Sequence, residues 1–180
     1  MSVRSTSVSG SKPLKLAVAL CAAGLFYARI PSAHADSDSD RDFVRQAVEE
    51  VVGDAEINRI AREKGEHDEV RHYASIRIKT DEEMESELRD IADRHHIGVP
   101  GKGELADRQQ DKLDHLRNSL HFDREYLSGE TRDTEEMRKL FHSASEGASD
   151  PDLRHWFRDK EDTVRDQHEE VSKMDDKYDR

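Results

Sequence analysis

The chain has 180 residues, is 33% hydrophobic, holds one cysteine, and carries 41 acidic against 29 basic residues for a formal net charge of −12. A field of that sign repels nucleic acid and anionic lipid, so neither is expected as a partner. A lone cysteine excludes a disulfide framework and a cysteine zinc site.

Residues 1–15 carry Arg4, Lys12 and Lys15 and no acid, and the apolar run LAVALCAAGLFYA follows at 16–28. Small residues then stand at Ala33 and Ala35. This is the order of a secretory signal peptide over residues 1–35, with cleavage expected after Ala35. The apolar run is shorter than the about 20 residues a membrane-spanning helix needs, so no stable membrane insertion is expected after cleavage. Cys21 follows Leu20 and lies inside the run, which speaks against a lipidated leader. Loss of the leader removes that cysteine and four basic residues and moves the net charge to about −16. The expected destination is the periplasm or cell envelope.

Residues 36–40, DSDSD, read as a polar link, 41–175 as a helical domain, and 176–180 as a fraying tail. In the first helical stretch Phe43, Ala47, Asp54, Ile57 and Ala61 recur at helical spacing, and Gly65 ends it. Asp68 is expected to cap a second helix running to about His96. GVPGKG at 98–103 is a break, and a shorter amphipathic piece follows at 104–120 with Leu105, Leu113, Leu116 and Leu120. The third long helix is expected over 122–145. Asp150 and Pro151 provide the cap and first position of a fourth, which carries Leu153, Trp156, Phe157, Val164, Val171 and Met174. No stretch alternates like a strand, and no repeat of roughly 20–50 residues is evident. The expected fold is all-α, a four-helix bundle with an extra short helix between helices two and three.

The stretch RIKTDEEMESEL at 77–88 places charges on the buried seam. A 4-3 spacing picks out Val70, Ala74, Arg77, Asp81, Met84, Leu88, Ile91 and His95, and sends Glu82, Glu83, Glu85 and Glu87 toward solvent. On helix three the seam is Tyr126, Glu130, Asp133, Met137, Leu140 and Ala144. On helix four it is Leu153, Phe157, Lys160, Val164, Gln167, Val171 and Met174. Together with Asp54 on the first helix, a core charge layer of Asp54, Arg77, Asp81, Glu130, Asp133, Lys160 and Gln167 is expected, since buried charges are costly unless paired. Two other readings stay open: side chains that bend to a wet rim, and a metal site using Asp54, Asp81, Glu130, Asp133 and His168.

The segments DFVRQAVEE, AEINRIA, DEVRHYA, ELRDIA, FDREYL, LF and DPDLRHW, in this order and spacing, resemble a bacterial secreted ferritin-like family of unknown function, described as outer-membrane or exported proteins. The resemblance spans about residues 41–171 and implies a ferritin-like four-helix bundle. It also implies an acid on helix one and histidines on the other three helices. The acid falls on Asp54, the helix-two Asp-His pair on Thr80 and Asp81, the helix-three pair on Asp133 and Thr134, and the helix-four histidine on Gln167, next to His168. Two positions commonly methionine fall on Arg77 and Glu130. All three histidine positions have lost histidine, which makes this a degenerate member and argues against bound metal.

The one Glu-x-x-His, Glu69 to His72, has its histidine off the seam, so it is expected at the surface. His67, His95, His96, His115, His121, His142 and His155 are scattered. No serine sits in a nucleophile elbow, and GVPGKGE lacks the spacing of a phosphate loop. The expectation is an exported, non-catalytic helical bundle without a cofactor, in an interaction or stress-associated role with a protein partner. Two alternatives are a metal-binding or redox ferritin-like protein and an acidic, partly disordered binder of basic partners.

Overall fold

The computed structural model describes residues 33–101, 104 and 107–179, with side chains described from Asp38 onward except at 107 and 108. The expected leader lies outside the described residues apart from its last three, whose backbone is helical. Among the described residues there are five helices and no strand: α1 (Ala33–Lys64), α2 (Asp68–Arg94), α3 (Asp107–Arg117), α4 (Phe122–Gly147) and α5 (Pro151–Tyr178).

Residues 36–40, expected as a link, belong to α1. Asp40 explains why this end is held. Its carboxylate is buried and accepts from the backbone N–H groups of Ser149 and Asp150, at 2.7 and 3.0 Å, in the turn between α4 and α5. The tail expected to fray is helical through Tyr178, where the Tyr178 hydroxyl donates to Glu69 Oε2 at 2.9 Å and Lys177 pairs with the same oxygen. Leu120 lies beyond the end of α3 and is 89% exposed, outside the apolar face that Leu113 and Leu116 bury.

The helix ends follow from local chemistry. α1 stops at Gly65, where a Cβ would come within 2.7 Å of the Ala61 carbonyl oxygen. Asp68 does not cap α2. It is the first helical residue, and Asp123, reaching across from α4, accepts from the backbone N–H groups of Glu66 and His67 at 2.9 Å each. α2 ends in a Schellman arrangement, in which the Ile97 N–H donates to Ala92 O at 2.8 Å and the His96 N–H to Asp93 O at 3.3 Å. The residue in the left-handed position is His96, φ 54°, where glycine is usual. At the start of α5, Asp150 accepts from the N–H groups of Asp152 and Leu153 at 2.8 and 3.1 Å, with Pro151 in the first turn.

α1 packs on α2 and α4 on α5, giving two helical hairpins. α1 also packs on α4, and α3, the piece between the hairpins, lies on α1 and α4. Gly53 permits the approach of α3, because a Cβ there would meet the Gln109 side chain at 2.5 Å.

The hairpins correspond in sequence at a constant separation of 83 positions. DRDFV at 40–44 matches DREYL at 123–127, and VRHY at 70–73 matches LRHW at 153–156. They also correspond in contacts. Asp40 and Asp123 each hold the other hairpin's turn, and Arg71 and Arg154 each donate to two carbonyls of their own turn, Gly65 and Glu66 or Ala148 and Ser149.

The apolar interior is divided in two. One cluster includes Val44, Val48, Val51, Met84, Leu88, Met137, Phe141, Phe157 and Val164. The other includes Ile57, Ile60, Val70, Tyr73, Leu113, Leu116, Phe122, Tyr126, Val171 and Met174. On α1, α2, α4 and α5 alike, buried polar residues stand between the clusters, with Ala55 and Ile78 beside them.

Candidate functional site

That polar layer draws Asp54 and Asn58 from α1, Arg77 and Asp81 from α2, Glu130 and Thr134 from α4, and Gln167 from α5, all of them buried. Helical phase puts them there. Arg77 and Asp81 continue the α2 face of Val70, Ala74, Met84 and Leu88, so the turn that buries the apolar residues buries the charges as well.

Arg77 joins the layer. Its Nη2 donates to Asp54 Oδ2 and lies 3.4 Å from Asp81 Oδ1, while its Nε donates to Glu130 Oε1 at 3.2 Å. The Tyr126 hydroxyl donates to Asn58 Oδ1 at 2.7 Å, and the Asn58 amide donates to the Asp54 carbonyl oxygen at 2.9 Å. The Thr134 hydroxyl donates to the Glu130 carbonyl oxygen at 2.8 Å and lies 3.1 Å from His168 Nδ1. Several buried atoms have no hydrogen-bond partner: Asp54 Oδ1, both Asp81 oxygens, Glu130 Oε2, Arg77 Nη1, the Tyr73 hydroxyl and Gln167 Oε1.

Three carboxyls against one guanidinium set the electrostatics. Burial pushes the Asp81 carboxyl well above the usual carboxylate range, against the pull of Arg77. Burial and the neighbouring Asp54 do the same to Glu130. Both carboxyls are within hydrogen-bonding reach of Asp54. Burial acts against the Arg77 charge, but Asp54, Asp81 and Glu130 together hold its pKa well above the ordinary value. Tyr73 and Tyr126 are raised by burial and then by Glu130.

Two residues expected in the layer are not in it. The Asp133 carboxylate turns to α3, where Lys112 Nζ donates to it at 2.7 Å; burial raises its pKa while Lys112 opposes. Lys160 reaches out to Glu87, which also accepts from the Trp156 indole N–H at 2.7 Å, so Glu87 bridges α2 to α5 while its side chain stays half-exposed. His168 stands at the margin, against Thr134. On α4 the buried face runs through Thr134 and Phe141 where Asp133 and Leu140 were expected. Sequence reasoning missed Asn58, although it follows Asp54 by one turn on the buried face. It also missed Lys112 and Glu87, for which no spacing argument was available. His72 is exposed, as its phase requires.

The histidine-and-carboxylate metal set implied by the resemblance does not fit this interior. Asp54, Asp81 and Glu130 already face a cation, Arg77, and none of the described histidines enters the layer. Among the described residues, no group of three or more His, Cys, Asp or Glu is placed to hold a metal ion. Two surface hollows adjoin the site. A pocket of about 80 Å³ between α1, α3 and α4 is lined by Ile57, Lys112, Tyr126, Gly129, Glu130 and Asp133 and lies beside the layer. A cleft of about 520 Å³ between α1 and α2 contains Arg59 and Arg89. Arg59 is engaged by Glu56 and Glu82, and Arg89 by Glu85 and the Pro100 carbonyl oxygen.

The fold and its interior define an all-α protein with a buried carboxyl–guanidinium layer. Residues 28–174 match a domain of unknown function, DUF4142, and the chain belongs to that family. No curated protein and no solved structure matches it. Among the described residues, no helix is long and apolar enough to cross a membrane.

Proposed function

We propose that the chain is an exported, ferritin-like four-helix bundle of the periplasm or cell envelope, non-catalytic, with an interaction or stress-associated role carried by its outer surface. The observation that carries the non-catalytic part is Arg77. Its guanidinium fills the space among Asp54, Asp81 and Glu130, where a ferritin-like protein would need open carboxylates and histidines. A cation supplied by the chain itself pairs with Asp54 and Glu130 and stands beside Asp81, in the place a metal ion would take. Support for export is the charged, apolar and small-residue order of residues 1–35. The continuous helices leave the partly disordered reading without support.

Metal analysis of protein isolated from its own host tests the interior. We expect no stoichiometric iron or manganese. Stoichiometric metal that is lost on Asp81→Ala would overturn the non-catalytic reading. Residues 1–35 fused to a reporter active only outside the cytoplasm test export, and a silent reporter would count against it.

A further inference from the structure

We propose that the layer is a proton-binding site: in the folded chain Asp81 and Glu130 each hold a proton beside Asp54, which with Arg77 leaves the interior neutral. Asp54 Oδ1, Asp81 Oδ1 and Oδ2, and Glu130 Oε2 are four buried acceptors with no donor. Buried acceptors are seldom left so. A protonated carboxyl is a donor. One proton on Asp81 and one on Glu130 create two O–H groups that can donate to Asp54, which accounts for Asp54 Oδ1, Glu130 Oε2 and one Asp81 oxygen; Asp81 Oδ1 also lies 3.4 Å from Arg77 Nη2.

Charge leads to the same count. Three ionised carboxyls and one guanidinium would bury two uncompensated negative charges, and an uncompensated buried charge neutralises itself by taking a proton. Among the described residues, nothing else near the layer supplies the missing positive charge. From α1, Arg59 approaches Asp81 but is held by Glu56 and Glu82. From α2 come Tyr73, Arg77 and Asp81, and from α4 Tyr126, Glu130 and Asp133, with Arg132 exposed on the wall of the adjoining pocket and Glu125 there paired with His115 of α3. Lys112 of α3 is taken by Asp133, and α5 presents the uncharged Gln167, with His168 against Thr134 and Lys160 turned away to Glu87.

The folded chain then binds protons that the unfolded chain has lost above the ordinary carboxylate pKa of about 4. The stability these two groups contribute is complete below that pH and declines as pH rises toward their folded values. The test is urea unfolding of the full chain at a series of pH values from about 4 upward, for wild type and for the double variant Asp81→Asn with Glu130→Gln. The amides carry fixed hydrogens where the protons sit. The wild-type unfolding constant is expected to rise with pH by up to tenfold per unit for each proton held, about a hundredfold for two, relative to the double variant. Equal pH slopes in the two proteins would overturn the proposal. Infrared difference spectra of the wild type at neutral pH give a second reading that does not depend on the double variant folding. A protonated carboxylic-acid carbonyl band, diminished in each single variant, is expected; its absence from the wild type would overturn the proposal as well.

Discussion

Removing the guanidinium of Arg77 leaves Asp54, Asp81 and Glu130 facing one another with no cation. Breaking a buried ion pair from one side costs about 3–5 kcal/mol, so Arg77→Met should lower the urea-unfolding free energy by that amount at neutral pH. Adding Glu130→Met should recover only part of the loss, because Asp54 and Asp81 stay behind; recovery to the wild-type value would show that Arg77 and Glu130 act as an isolated pair. The 4-3 spacing of α2 made Arg77 and Asp81 legible in the sequence, since both interrupt an otherwise apolar face. On α4 the same template took its steps in the wrong order. The buried series Tyr126, Glu130, Thr134, Met137, Phe141 and Ala144 shares four members with the expected one but takes steps of four after Glu130 and Met137, which puts Thr134 and Phe141 inside in place of Asp133 and Leu140. Lys160 escaped the template for another reason. Its Cα is on the seam, but the long stem carries the ammonium away to Glu87.

Helix ends show what spacing along a chain can and cannot reveal. The cap of α5 was readable because Asp150 and Pro151 are adjacent to the helix they start. The turn before α2 was not, because the aspartate that satisfies it, Asp123, is 57 positions from Glu66. Loss of a side-chain cap typically costs about 1 kcal/mol, and Asp123→Ala should cost at least that in chemical denaturation, since it frees two buried-side N–H groups at once. A change within a few tenths of zero would mean that water replaces the carboxylate freely. The opposite sign is expected at the end of α2. His96 is a non-glycine residue at φ 54°, a conformation that costs a side chain about 1 kcal/mol. His96→Gly should therefore raise the thermal midpoint, and a lowered midpoint would show that the imidazole supplies something the backbone strain conceals.

Across the whole molecule, four long helices and a short fifth could be anticipated from periodicity, Gly65 and the 98–103 break. The correspondence between the two hairpins could not, because its separation of 83 positions exceeds the usual range of repeats and few residues are identical. The hairpins are equivalent in their turns and unequal in the polar layer. Asp54, Arg77 and Asp81 stand where the other hairpin has Met137, Lys160 and Val164. The charges of the layer are thus unequally divided, with Asp54, Arg77 and Asp81 from the first hairpin and Glu130 from the second.

The reciprocal clasps of Asp40 and Asp123 make two surface turns into reporters of docking. The N–H groups of Glu66, His67, Ser149 and Asp150 lie in short loops, which would ordinarily exchange hydrogen with water almost at once. Each is tied to a carboxylate on the opposite hairpin, so its release requires the hairpins to part. These four amides should exchange as slowly as those of the helix centres, with free energies near that of global unfolding. Asp123→Ala should free Glu66 and His67 while Ser149 and Asp150 stay protected. Fast exchange of all four in the wild type would mean that the hairpins separate at a small fraction of the unfolding cost. Slow exchange would mean that neither hairpin has an independent existence, and that the chain opens and closes as one cooperative unit.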